Sequence, residues 1–86
     1  MQTSDTPVPI LLAEGTVRQV DVINRELVLD AGGARVVFDV PPDCRIVLRG
    51  ERVRLRVLQP RDRVRVGYAV RRGRPAARAI DVRAGR

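Results

Sequence analysis

A chain of 86 residues has room for one domain with a modest core, and its single cysteine, Cys44, rules out an intrachain disulfide. Histidine is absent, which removes the commonest general base and the commonest transition-metal ligand. All seventeen basic residues are arginine, and fourteen of them fall in residues 45–86 against only Glu51, Asp62 and Asp81, whereas residues 1–44 hold three arginines against seven acids. GC-rich codon usage accounts for arginine in place of lysine, but not for this asymmetry.

Taken in chain order, residues 1–11 read as a flexible polar lead-in carrying Pro7 and Pro9. They have no basic n-region, and Ile10 to Ala13 is too short for a signal h-region or a membrane span, so a cytoplasmic protein is the default, or a secreted or periplasmic one if a signal peptide has been trimmed. From Leu12 onward a period of two dominates the chain. Strand one is expected from Leu12 to Val22, with Gly15 at a bend or close backbone approach and a bulge near Gln19 where alternation breaks. A turn around Asn24 leads to strand two, Leu27 to Ala31, and Gly32-Gly33 signals a two-residue hairpin.

Strand three is Arg35 to Val40, stopped by Pro41-Pro42, which cannot donate to a ladder. Strand four is Arg45 to Leu48, ending at Gly50. Glu51 to Leu58 stays open between a strand, because Val53, Leu55 and Val57 alternate with Arg52, Arg54 and Arg56, and one helical turn closing a barrel end through Leu55 and Leu58. After a turn around Pro60, which Asp62 is expected to cap, a strand runs from Arg63 to Val70 with Val64, Val66, Tyr68 and Val70 on one face. A basic loop, Arg71 to Pro75, precedes the last strand, Ala76 to Val82, and residues 84–86 form a tail.

This pattern predicts an all-β fold, a small closed OB-like barrel of five or six strands over residues 12–83, since closure hides edges that Val-rich strands would otherwise expose. The expected core is Val17, Val20, Leu27, Leu29, Val36, Phe38, Val40, Ile46, Leu55, Leu58, Val64, Val66, Tyr68 and Ile80.

Two resemblances lead to the same architecture. Glu14-Gly15-Thr16-Val17, Val20-Asp21, Leu27 to Leu29, Phe38-Asp39-Val40, Leu55-x-x-Leu58, Asp62-x-Val64-x-Val66 and Ala77 to Ile80 resemble small bacterial barrel domains of unknown function, usually found in secreted or envelope proteins. A distant relative in shape is the periplasmic copper-and-silver chaperone of metal efflux systems. That chaperone holds metal through His, Met and Trp; here His and Trp are absent and the only Met is Met1, so the resemblance implies no metal function. Gly15-Thr16-Val17, Phe38-x-Val40, Gly50 with its basic run, Asp62-x-Val64-x-Val66 and Gly73-Arg74 are also similar to S1-like folds such as bacterial translation initiation factor one, which implies OB-type RNA binding. The match departs at Arg61, where such folds carry Gly.

The candidate site is the arginine face: Arg52, Arg54, Arg56, Arg61, Arg63 and Arg65, with Arg71, Arg72 and Arg74 in the loop and Arg78 beside it. If the two strand runs flank one turn, their guanidinium groups form one patch that pairs with phosphates. The expected partner is therefore RNA or single-stranded DNA, recognised by backbone and shape, because Phe38 and Tyr68, the only aromatics, fall on inward rows. The alternative is an accessory domain whose arginines dock an acidic protein or envelope partner, or simply face solvent. Cys44 lacks an activating base or a resolving thiol and reads as structural. No cofactor, metal site, catalytic group or oligomeric state can be read from the sequence, and enzyme activity is not expected.

Overall fold

The computed structural model describes residues 9–84. Seven strands run in chain order: β1 (Leu11–Asp21), β2 (Glu26–Ala31), β3 (Ala34–Asp39), β4 (Arg45–Leu48), β5 (Glu51–Arg52), β6 (Arg63–Arg71) and β7 (Arg74–Ala84), with a single 3-10 turn, Leu55–Val57, between β5 and β6. Residues 1–8 of the expected lead-in, and most of the expected tail, lie outside the described residues, while Leu11 already belongs to β1.

The sheet order is β3-β2-β1-β6-β7-β4-β5, and a further pairing of β3 with β7 closes β1, β2, β3, β6 and β7 into a five-stranded barrel. β7 gives one edge to β6. Its other edge is shared by the end of β3, paired at Asp39↔Ala76, and by β4, paired in parallel from Arg45↔Ala79 to Leu48↔Val82. Pro41-Pro42 divides those two segments: prolines have no N–H to give β7, so the chain leaves the edge there and returns at β4.

Alternation sets the inside of the barrel. Val17, Leu27, Leu29, Phe38, Val40, Ile46, Leu55, Leu58, Val64, Val66 and Ile80 are buried, and Val20, Val36 and Tyr68 pack half-buried against them. Phe38 is fully enclosed and meets Tyr68, itself half-buried, edge-to-face at 5.1 Å between ring centroids. The register of β1 shifts against β2 between Val17 and Gln19, where the sequence pattern breaks. The bulge frees backbone groups that the loop before β6 satisfies: Val17 N–H donates to the Asp62 carbonyl at 2.8 Å, and Arg61 N–H donates to the Val17 carbonyl at 2.8 Å. The Asp62 carboxylate, buried, accepts the Gln59 N–H at 3.0 Å and so holds the turn around Pro60. Gly15 is dictated by close approach, since a Cβ there would fall 2.2 Å from the Asp30 carbonyl oxygen.

Two expectations change. Val70 does not share the inward face of Val64 and Val66: it is half exposed, and Ala69 is buried instead. The cause is a register shift against β7 between Gly67 and Tyr68, with Arg78 the extra residue, which rotates the end of the hairpin. The open segment 51–58 resolves into both readings in succession, two residues of β5 and then the 3-10 turn, whose Leu55 and the following Leu58 plug the barrel end.

Candidate ligand site

The topology separates the two arginine runs. β5 pairs only with β4, and β6 lies between β1 and β7, so β7 and β4 stand between the strand of Arg52 and that of Arg63 and Arg65, which are not neighbours across one turn. Arg65 faces Glu14 directly across the β1–β6 ladder and pairs with it at 2.9 Å. Arg74 chelates Asp39, at 2.8 and 3.0 Å, and reaches Glu26 at 3.6 Å, bridging the seam where β3 meets β7. That contact holds the Asp39 carboxyl below the ordinary carboxylate range. Arg65 and Arg74 are thus engaged in the barrel's own ion pairs. Arg56, Arg61 and Arg72 are exposed elsewhere, Arg63 and Arg65 border a cavity of about 160 Å³ with Glu14 and Arg83, and Arg71 and Arg78 border one of about 320 Å³ with Pro41 and Asp43.

Arg52 and Arg54 converge on something else. Because β5 is only two residues long and the chain then turns away into Leu55–Val57, β4, β5 and the turn lean across the barrel end and leave a cavity of about 470 Å³. It is lined by Arg25, Pro42, Cys44, Ile46, Arg52, Val53, Arg54 and Leu55. Its edge is stapled where Val53 N–H donates to the Ile46 carbonyl at 2.8 Å, continuing the β4–β5 pairing.

Arg25 comes from the turn between β1 and β2. Asp21 accepts the Asn24 backbone N–H at 2.9 Å and its side-chain amide at 3.0 Å, and this Asx-type turn ends with Arg25 at φ 54°. The Arg25 carbonyl accepts the Val40 N–H at 2.9 Å, and its guanidinium donates back to the Val40 carbonyl at 2.8 Å and the Pro41 carbonyl at 3.4 Å. That guanidinium is therefore fixed without an acid. The guanidinium groups of Arg52 and Arg54 make no hydrogen bond or ion pair to other described residues.

Cys44 is buried beside this cavity, with its thiol 3.8 Å from the Arg45 carbonyl. Burial pushes the thiol up to about 11, although Arg25, Arg52 and Arg78 pull it down and Asp43 pushes the same way as burial. Three guanidinium charges are thus felt at one point on the cavity wall, and the thiol there stays neutral near pH 7. Sequence reasoning named Arg52, Arg54 and Arg78 but missed Arg25, which stands alone among acids in the chain; the Asp21-x-x-Asn24 turn was the only local signal for it.

No protein-family model matches the chain, and no curated protein matches it. Solved structures do. The barrel is similar to apo CusF from Escherichia coli, residues 6–88, with a TM-score of 0.75 at 13% identity, covering 96% of this chain and 98% of that one. It is likewise similar to CusF from Escherichia coli with Ag(I), residues 10–88, with a TM-score of 0.75 at 12% identity over 93% of this chain and 99% of that one. A tryptophan-to-alanine variant of CusF with Cu(II) matches with a TM-score of 0.71 at 13% identity, over 94% and 99%. At this identity the likeness is one of fold, and it bears out the closed OB-like barrel.

The comparison also corrects the functional expectation. Besides the apo protein, the similar solved structures include CusF with Ag(I) and with Cu(II), so they point to a metal ion as the partner rather than to RNA or single-stranded DNA. The nucleic-acid partner, and with it the acidic-protein alternative drawn from the same arginine face, is withdrawn: the face on which both rested is dispersed over separate cavities and ion pairs. The cytoplasmic default is withdrawn as well, the solved structures similar to this chain being those of CusF. No helix among the described residues is long and apolar enough to cross a membrane.

The described residues offer a copper or silver ion a single soft donor rather than a ligand cluster. Among the described residues there is no group of three or more His, Cys, Asp or Glu that could hold a metal, and the one soft donor, Cys44, is a buried thiol held protonated beside arginines.

Proposed function

We propose that this chain is a non-catalytic binding barrel, an accessory or carrier module of a periplasmic or secreted setting, whose ligand enters the cavity between β4, β5 and the Leu55–Val57 turn. The observation that carries this reading is that cavity: about 470 Å³, open at the barrel end, with apolar walls from Ile46, Val53 and Leu55 and polar groups from three arginines. Few convergent polar groups on an apolar wall are the usual make-up of a small-ligand site. The setting and the binding role are supported by the near full-length fold likeness to CusF. The lack of a titratable pair placed for proton transfer around the cavity supports a non-catalytic role.

A thermal-shift panel of metal ions, inorganic anions and small organic acids tests it. A ligand at about a hundred times its Kd adds roughly 2.7 kcal/mol, a rise of about 10 °C or more for a domain this small. At least one class is expected to give such a rise, and the rise is expected to shrink when Val53 or Leu55 is changed. A flat response across the panel overturns the reading.

The similar structures favour a second reading, uptake of a soft metal ion, for which Cys44 is the single soft donor among the described residues. Native mass spectrometry with Ag(I) decides between them. Stoichiometric Ag(I) in the wild type that is lost in Cys44→Ser would establish the metal reading and displace the first.

A further inference from the structure

We propose that the cavity beside Cys44 is a site for a small tetrahedral oxyanion, phosphate or sulfate in class, free or as the head of a small ester, seated between Arg25, Arg52 and Arg54. This rests on the reading of the chain as a ligand-binding barrel and names the chemistry of its ligand. Three features of the cavity carry it.

The first is a guanidinium fixed in advance. Arg25 is tied by Nε and one Nη to the Val40 and Pro41 carbonyls, which restrains its side chain and leaves its charge unneutralised, because carbonyls carry no net charge. Its ordering cost is met in the fold rather than on binding. The second is the pair of free arms, Arg52 and Arg54, which line the same cavity without acid partners among the described residues. Guanidinium groups match the oxygens of a tetrahedral oxyanion in bidentate geometry, and two free arms closing on a fixed third give a clamp.

The third is the shape and polarity of the space between. The acids nearest in sequence, Glu26, Asp43 and Glu51, do not line the cavity, while Ile46, Val53 and Leu55 do. These apolar side chains lower the local dielectric and strengthen each charge interaction inside. They also supply a wall for the organic part of an ester, and the cavity is larger than a bare oxyanion needs. Cys44 adds no competing charge at neutral pH.

Isothermal titration in low-salt chloride buffer tests the site with inorganic phosphate and with phenyl phosphate, on the wild type, on Arg52→Ala/Arg54→Ala, and on Arg35→Ala/Arg72→Ala. The last pair removes the same charge at two hairpins that do not line the cavity. Saturable 1:1 binding is expected, weakened about tenfold or more in Arg52→Ala/Arg54→Ala and about twofold or less in the control. Phenyl phosphate binding more tightly than phosphate points to an ester, and equal binding to the free ion; either supports the site. No saturable binding, or an equal loss in both double variants, overturns it. Should another ligand class shift the melting temperature while both phosphates fail, the oxyanion falls and the binding barrel stands.

Discussion

The closed body of β1, β2, β3, β6 and β7 and the short arm of β4, β5 and the following turn use the same residue types, Val, Leu, Ile and Arg. They put them to different ends. In the body, inward residues are matched by neighbours one strand over, from Val17↔Leu29 and Leu27↔Phe38 to Val66↔Ile80, and several outward arginines find acids: Arg18 finds Asp30, Arg65 finds Glu14, Arg74 finds Asp39 and Arg83 finds Asp81. In the arm, β5 is too short to continue the ladder, Ile46 and Leu55 line open space, and Arg52 and Arg54 stay without acids. The lesson is that arginine excess by itself marks no surface. What matters is whether a carboxylate lies within reach, and here one does for Arg18, Arg65, Arg74 and Arg83 in the body and for neither Arg52 nor Arg54 in the arm.

The largest contrast should come from truncating one core residue in each region. Phe38→Ala removes a ring enclosed on every side and is expected to cost about 3–5 kcal/mol, whereas Leu55→Ala opens onto an existing cavity and should sit near the lower end, about 2 kcal/mol. Chemical denaturation of both variants checks it, and equal losses would mean that the arm is as tightly packed as the body.

Next come two glycines. Gly15→Ala drives a methyl against the Asp30 carbonyl between β1 and β2, backbone against backbone, and should cost about 3 kcal/mol. Gly50→Ala, in the arm's tight turn, meets nothing within 4 Å and suffers only from its φ of 81°, so about 1 kcal/mol is expected. Melting temperatures of the two variants rank them, and a larger drop for Gly50→Ala would reverse the assignment of rigid and open regions.

The smallest effect concerns Cys44. Its folded thiol lies near 11, above the ordinary value of about 8.5 for an unfolded thiol. The folded state therefore holds the proton longer, so the contribution of Cys44 to stability is full below the unfolded value and is lost as pH rises through that value toward 11. Stability of the wild type should fall more steeply than that of Cys44→Ala between about pH 8.5 and 11, and iodoacetamide alkylation of the native protein should still be accelerating at about pH 10. Alkylation that levels off near about pH 8.5 would show a thiol open to water, and an arm that does not shield it.

Much of the body could be read from the chain. Val64, Val66, Leu27, Leu29 and Phe38 alternate cleanly, Gly32-Gly33 marks its hairpin, and the broken pattern around Gln19 coincides with a real bulge. The arginine site could not be read in the same way. Arg25 is 27 residues from Arg52 and lies in the acidic half, so only the hydrogen bonds of the Asp21–Arg25 turn to the end of β3 carry it to the cavity. Val70 departs from its expected face for a related reason, since nothing in the sequence of β6 announces that β7 carries an extra residue at Arg78.

Period-two alternation and turn residues alone determined an all-β chain, the inward rows of most strands and the break at Pro41-Pro42, because these follow from local geometry and the avoidance of buried polar backbone. Which arginines are neutralised, which converge and where the barrel end stays open were decided only by strand order and register. Those depend on pairings across dozens of residues, such as β3 and β4 sharing the edge of β7, that no local pattern encodes.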